Sequence, residues 1–82
     1  MATTFTDLPL ALVVDAKGLK CPMPIVRTAQ AIKTIASGEI LEVLATDPGA
    51  LADFAAWSRS TGNQIVESSA DGGVYRFVLR RK

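Results

Sequence analysis

The apolar periodicity of the chain changes in a fixed order, and that order leaves few folds open. Leu10–Val14 ("LALVV") is a short β-branched run closed by Asp15 and Gly18, which reads as a buried strand. From Met23 onward the spacing becomes helical. Ile25, Ala29, Ile32 and Ala36 recur with Val26 and Ile35 beside them, while Arg27, Gln30, Lys33 and Thr34 fall on the expected wet face. Gly38 is expected to end this helix as its C-terminal cap. Residues 39–45 ("EILEVLA") are apolar in both phases of the alternation, as suits an inner strand. Asp47-Pro48 then predicts an N-cap carboxylate with proline at the first helical position. That second helix runs through Leu51, Phe54, Ala55 and Ser58, with Trp57 one position off the stripe, and Gly62 is its left-handed stop. Two β-rich runs, "QIVESSA" and "VYRFVLR", flank the Asp-Gly-Gly of residues 71–73, a hairpin signature.

The expected order is therefore β-α-β-α-β-β. A strand–helix–strand crossover demands parallel pairing, and the hairpin adds antiparallel strands. The natural solution is an α/β fold: a two-layer sandwich with a four-stranded mixed sheet and both helices on one face. At 82 residues the chain is too short for a second core, so residues 10–82 are expected to form one domain after a tail over residues 1–9. The hydrophobic content of 49% is that of a globular protein rather than a disordered one. The start of the chain lacks a basic segment, and Pro9 and Asp15 break and end its apolar run, so it is not expected to be a signal peptide. No apolar stretch reaches membrane-spanning length, and a soluble protein is expected.

The chemistry of the sequence centres on one residue. Cys21 is the only cysteine, and it lies between Gly18 and the prolines Pro22 and Pro24 at the start of the first helix. Without a second cysteine there is neither an internal disulfide nor a dithiol switch, and a reducing compartment, the cytoplasm, is expected. The absence of histidine removes a Cys-His hydrolase dyad, and without clustered ligands no metal and no cofactor are expected. A helix N-terminus presents free N–H groups and a partial positive charge, so it is expected to favour the thiolate. Lys20 beside the cysteine, with Lys17 and Arg27, would add positive potential and form a docking patch. Pro22 and Pro24 would stiffen the lead-in, and Gly18 would let the chain turn. The chemistry left to one activated thiol is attack on an activated sulfur, giving a persulfide whose outer sulfur is then surrendered. The bland alternative is a buried, inert cysteine, the habit of most free thiols.

"VDAKGLKCPMP" followed by a helix resembles the D-x-x-G-L-x-C-P-x-P signature of the sulfur-carrier family typified by TusA. "GEILEVLATDPGA" is similar to that family's second block, and "DGGVYRFVLRRK" resembles its C-terminal hairpin. The resemblance implies a sulfur-transfer role in which Cys21 matches the sulfur-bearing cysteine, with Pro22 and Pro24 as motif prolines and Asp15, Gly18 and Leu19 as the lead-in. It further implies a cysteine desulfurase or rhodanese-like donor and an acceptor such as a DsrE-like protein. The implied destinations are tRNA thiolation, molybdenum-cofactor supply or sulfur oxidation. A monomer is expected.

Asp47 carries two readings. It is a helix cap, or it stands near Cys21, because both helices start from the same edge of a β-α-β-α unit. A second function class stays open: an interaction or regulatory module using this surface without sulfur chemistry. RNA binding through Arg80, Arg81 and Lys82 is the weakest reading, since a net charge of +1 supplies little attraction for phosphates.

Overall fold

The computed structural model describes residues 9–82, so the tail expected over residues 1–9 lies almost wholly outside the described residues. The elements are β1 (Leu10–Ala16), α1 (Met23–Ile32), β2 (Ile40–Ala45), α2 (Ala50–Thr61), β3 (Gln64–Asp71) and β4 (Val74–Arg80). This is the order the periodicity predicts. The four strands stand as β1-β2-β4-β3. β1 and β2 run parallel, with Val14 opposite Val43 and Ala16 opposite Ala45. β4 is antiparallel to both its neighbours, pairing Phe77 with Val43 on one side and with Ser68 on the other.

One side of the sheet carries the core. Val14, Ala16, Leu41, Val43, Ala45, Phe77 and Leu79 form a single buried cluster with Ile32 of α1 and with Ala50 and Phe54 of α2. Alternation along β2 sends Glu42 to the opposite side. There Arg76 sits between Glu42 and Glu67, its Nη1 lying 3.1 Å from Glu67 Oε1. Phe54 stacks on Phe77 with ring centroids 4.4 Å apart, which pins α2 to the centre of the sheet. Gly72 and Gly73 both have positive φ, as the tight β3–β4 hairpin requires.

Four expectations change. β1 runs on to Ala16, because Asp15 and Ala16 still pair with Leu44 and Ala45 of β2. α1 stops at Ile32 rather than continuing to Ala36, with Lys33 as its C-cap. Thr34 N–H donates to the Ala31 carbonyl and tightens the last turn, while Ile35 reaches the core from that turn and so prolongs the apolar period. Gly38 does not cap the helix; its N–H donates to the Arg81 carbonyl at 2.8 Å, where β2 begins. On the helices, Met23, Val26 and Leu51 are exposed, whereas Thr28 is fully buried and donates to the Pro24 carbonyl at 2.8 Å. Gly62, by contrast, is the left-handed cap of α2 as expected, with φ +82.

Candidate functional site

The two parallel strands β1 and β2 end side by side at Ala16 and Ala45, so the loops leaving them, and the helices those loops feed, begin at one edge. Gly18 (φ +83) turns the first loop, and Leu19 N–H donates back to the Ala16 carbonyl. The Gly18 N–H donates to Thr46 Oγ1 at 2.9 Å, which fastens the first loop to the second. Lys20, Cys21 and Pro22 follow, the Cys21–Pro22 peptide being cis, and Pro22 is the N-cap of α1. Cys21 is exposed, which removes the inert-core alternative.

The second loop brings two carboxylates to this edge. Asp47 is not the cap of α2; that position belongs to Gly49. Asp47 instead closes its own turn, its Oδ2 accepting from Gly49 N–H at 3.0 Å and its carbonyl from Ala50 N–H at 3.0 Å. Asp53 stands in the first turn of α2, where a carboxylate is favoured by the helix dipole. Gly49 leaves room for both carboxylates: a Cβ there would lie 2.9 Å from Asp47 Oδ2 and 3.9 Å from Asp53 Oδ2, so Asp47 would have to shift.

These carboxylates reverse the expected electrostatics. Hydrogen bonding to the Asp53 carboxylate pushes the Cys21 thiol above its ordinary value, aided by desolvation and by the negative charges of Asp53 and Asp47. α1 offers little in opposition. Pro22 and Pro24 have no N–H, Met23 N–H is taken by the Lys20 carbonyl at 2.8 Å, and Val26 N–H by the Pro22 carbonyl at 3.0 Å. The prolines that shape the lead-in thus also remove two donors that could have held a thiolate, leaving Ile25 N–H as the first-turn amide without a backbone acceptor.

The remaining predicted residues divide between this edge and its surroundings. Lys20 is exposed next to Cys21. Asp15 accepts from Lys17 N–H at 3.1 Å, and Lys17 Nζ lies 3.9 Å from the same carboxylate, an exposed pair of small energetic weight. Leu19 is half-buried against the core, and Pro24 is buried. Arg27 is exposed on α1 and shares a shallow groove with Asp15 and Gln30 beside β1. Asp47 adds its negative charge at the thiol, as the smallest of the causes that raise it. Asp53 and Thr46 were not singled out from sequence. Among the described residues no group of three or more His, Cys, Asp and Glu could hold a metal ion, and no helix is long and apolar enough to cross a membrane.

Comparison with known proteins agrees with this layout. Residues 12–81 match the family model described as sulfurtransferase TusA. The chain is 43% identical over 67 residues to the sulfur carrier protein TusA of Allochromatium vinosum, covering 82% of this chain and 88% of that one. It is 32% identical over 77 residues to the sulfur carrier protein TusA of Pseudomonas putida, covering 94% and 96%. It is also 49% identical over 70 residues to YrkF of Bacillus subtilis, covering 85% of this chain but only 38% of that longer protein. Among solved structures, a SirA-like protein from Desulfitobacterium hafniense shares the fold, with a TM-score of 0.74 at 24% identity over 84% of this chain and 95% of that one. With the family match spanning nearly every described residue, and with two named carriers aligned along most of their length, this chain belongs to the TusA family of sulfur carrier proteins.

Proposed function

We propose that the protein carries sulfur as a persulfide on Cys21 and relays it between a donor protein and an acceptor protein. The observation that carries this is the placement of the chain's sole cysteine, exposed at the helix-bearing edge of the sheet and outside the core. Transfer balances without an oxidant. The Cys21 sulfur bonds to the outer sulfur of a donor persulfide, the donor's S–S bond breaks, and the electron pair and the Cys21 proton leave on the donor thiol. The reverse steps unload the carrier onto its acceptor.

Docking rather than a small-molecule pocket sets the partner. Met23, Val26 and Arg27 occupy neighbouring positions on the exposed side of α1, and Leu51 is exposed in the first turn of α2. An apolar patch beside a reactive sulfur, edged by Lys20, Lys17 and Asp47, suits a protein surface. The donor class is a cysteine desulfurase or a rhodanese-like protein, and the acceptor is another sulfur-binding protein. Residues 10–82 act as one carrier domain in the cytoplasm, where reducing conditions keep a lone thiol free.

Intact-protein mass spectrometry tests the proposal. The freshly reduced protein is exposed to thiosulfate, to polysulfide, and to a cysteine desulfurase with cysteine. The expected result is a gain of one sulfur atom that reductant reverses and that Cys21→Ser abolishes while leaving the thermal midpoint unchanged. No adduct from any donor overturns the assignment, as does loading that persists in Cys21→Ser.

A further inference from the structure

β1 closes the sheet on one side and is bonded only to β2, so alternate backbone donors and acceptors along its other side face outwards. Among the described residues no turn or loop bond reaches the backbone of residues 10–15 to take them up. The opposite edge is blunted in the usual ways. β3 carries Gln64, Glu67, Ser69 and Asp71, and its register is broken between Ile65 and Glu67. β1 has no such protection over its straight run. It is apolar but for Asp15, holds neither lysine nor proline, leaves Val13 50% exposed, and has its one irregularity ahead of Leu12.

Beside this edge lies a groove of about 420 Å³, with residues 12–15 on one wall and Arg27, Gln30 and Thr34 of α1 on the other. These three continue, at helical spacing, the stripe that begins at the exposed Met23, so the groove runs into the apolar patch next to Cys21. Of the two charges in the groove, Asp15 already accepts from Lys17 N–H and lies 3.9 Å from Lys17 Nζ, whereas Arg27 has no acidic partner among the described residues. The helix and its C-cap add Lys33 and no acid.

We infer that this edge is the docking site for an extended segment of the sulfur-relay partner, which joins the sheet as a further strand beside β1 and lays an acidic side chain over Arg27. The outward backbone groups call for a strand, because an extended chain repeats its donors and acceptors at the matching rise of about 3.3 Å per residue. The free guanidinium calls for an acid. The same charges decide against a second copy of this chain: two-fold pairing of β1 with β1 would bring together two α1 helices whose charged side chains, Arg27 and Lys33, are all basic. Side chains of the docked segment alternate, one set falling in the groove against Arg27 and the other beside Val13. Past Ala16 the segment meets the loop that carries Cys21, so it brings its parent protein to the sulfur. The carrier reading says only whose segment it is; the binding does not depend on sulfur chemistry.

The test is a titration of the reduced, isotope-labelled full chain, followed by nuclear magnetic resonance. The probe is a short blocked peptide that alternates valine with threonine around one central glutamate. Amide signals of residues 12–16, Arg27 and Gln30 are expected to shift, and hydrogen exchange at the outward amides of β1 to slow. Arg27→Glu should weaken this peptide several-fold and should bind the lysine counterpart of the peptide better than wild type does. Arg27→Gln takes its place if charge reversal disturbs α1, with circular dichroism as the check, and should weaken the glutamate peptide alone. Two peptides N-methylated on alternate residues tell strand pairing from apolar contact: the one blocked along its bonded edge should not bind, and the other should bind like the parent. Equal binding of the two, or no shift along β1 at the parent's solubility limit, overturns the site. Exchange already slow at those amides in the free monomer assigns the edge to this chain's own start and overturns it too, as does a dimer by sedimentation with the same protection. Unchanged affinities in the Arg27 variants overturn the place of the acid. Sulfur loading measured by mass fails or succeeds independently of this binding, so the two proposals fall separately.

Discussion

Truncating Phe54 tests what holds the second helix, and with it Asp47 and Asp53, against the sheet. The side chain is fully buried at 0% exposure, stacked on Phe77 at 4.4 Å and meeting the Trp57 ring edge-on at 6.2 Å. Phe→Ala in a core costs about 3–5 kcal/mol from lost transfer energy and the cavity left behind. The upper half of that range applies, because the floor of the site is hydrogen-bonded sheet and cannot collapse into the gap. A domain of 82 residues holds a net stability of about 4–12 kcal/mol, so Phe54→Ala removes from about a third to all of it. Phe54→Leu retains apolar bulk and deletes chiefly the ring pairs, each worth about 0.5–1.5 kcal/mol. Urea unfolding followed by the fluorescence of Trp57, the sole tryptophan, measures both, and an unchanged m-value confirms that the denatured state is the same. A loss below about 1.5 kcal/mol for Phe54→Ala would refute the stacked pair as the anchor of α2.

Two further substitutions probe the site's supports. Thr28→Val keeps the shape of a fully buried residue and removes its hydrogen bond to the Pro24 carbonyl; a loss of about 1 kcal/mol in the same urea titration is expected, and no loss would mean that the bond contributes nothing net. Gly49→Ala puts a methyl 2.9 Å from Asp47 Oδ2, so that side-chain oxygen must shift and its bond from Gly49 N–H is strained, while the Ala50 N–H bond to the Asp47 carbonyl still closes the turn. The fold should survive with a stability change within about 1.5 kcal/mol, while the pH profile of Cys21 alkylation by iodoacetamide shifts to lower pH as Asp47 swings away.

The element order was legible because each element announces itself locally. Leu10–Val14 is β-branched, the stretch from Met23 has helical spacing, and Asp71-Gly72-Gly73 can only turn. The position of β4 between β2 and β3 has no local signature, since it depends on which strand edges remain free once β1 and β2 have paired. The end of α1 was hidden because Ile35 is buried from a turn and continues the helical apolar spacing by coincidence. Cys21 was visible as the sole thiol ahead of two prolines. Its electrostatics were not, because local reasoning weighs the lysine next door and the dipole of its own helix. The decisive neighbour, Asp53, is 32 positions later by the numbering and looks from sequence like an ordinary acidic first-turn residue. The clue lay in topology: parallel strands set both helix starts on one edge, so an acid opening the second helix stands beside whatever opens the first.

The strand order also sets a timetable for maturation. β3 has β4 as its only partner in the sheet, so it cannot join β1 and β2 until β4 has been synthesised. On the ribosome, β1, α1, β2 and α2 emerge as an incomplete half whose inner face lacks Phe77 and Leu79, the residues against which Phe54 and its neighbours pack. Such exposed apolar surface is what chaperones hold and what nascent chains aggregate through. Cys21 is made early, yet the sheet whose edge carries it is completed only when β4 pairs with β2 and β3. Through that interval the nascent thiol is as open to oxidants and stray electrophiles as any cysteine in an unfolded chain.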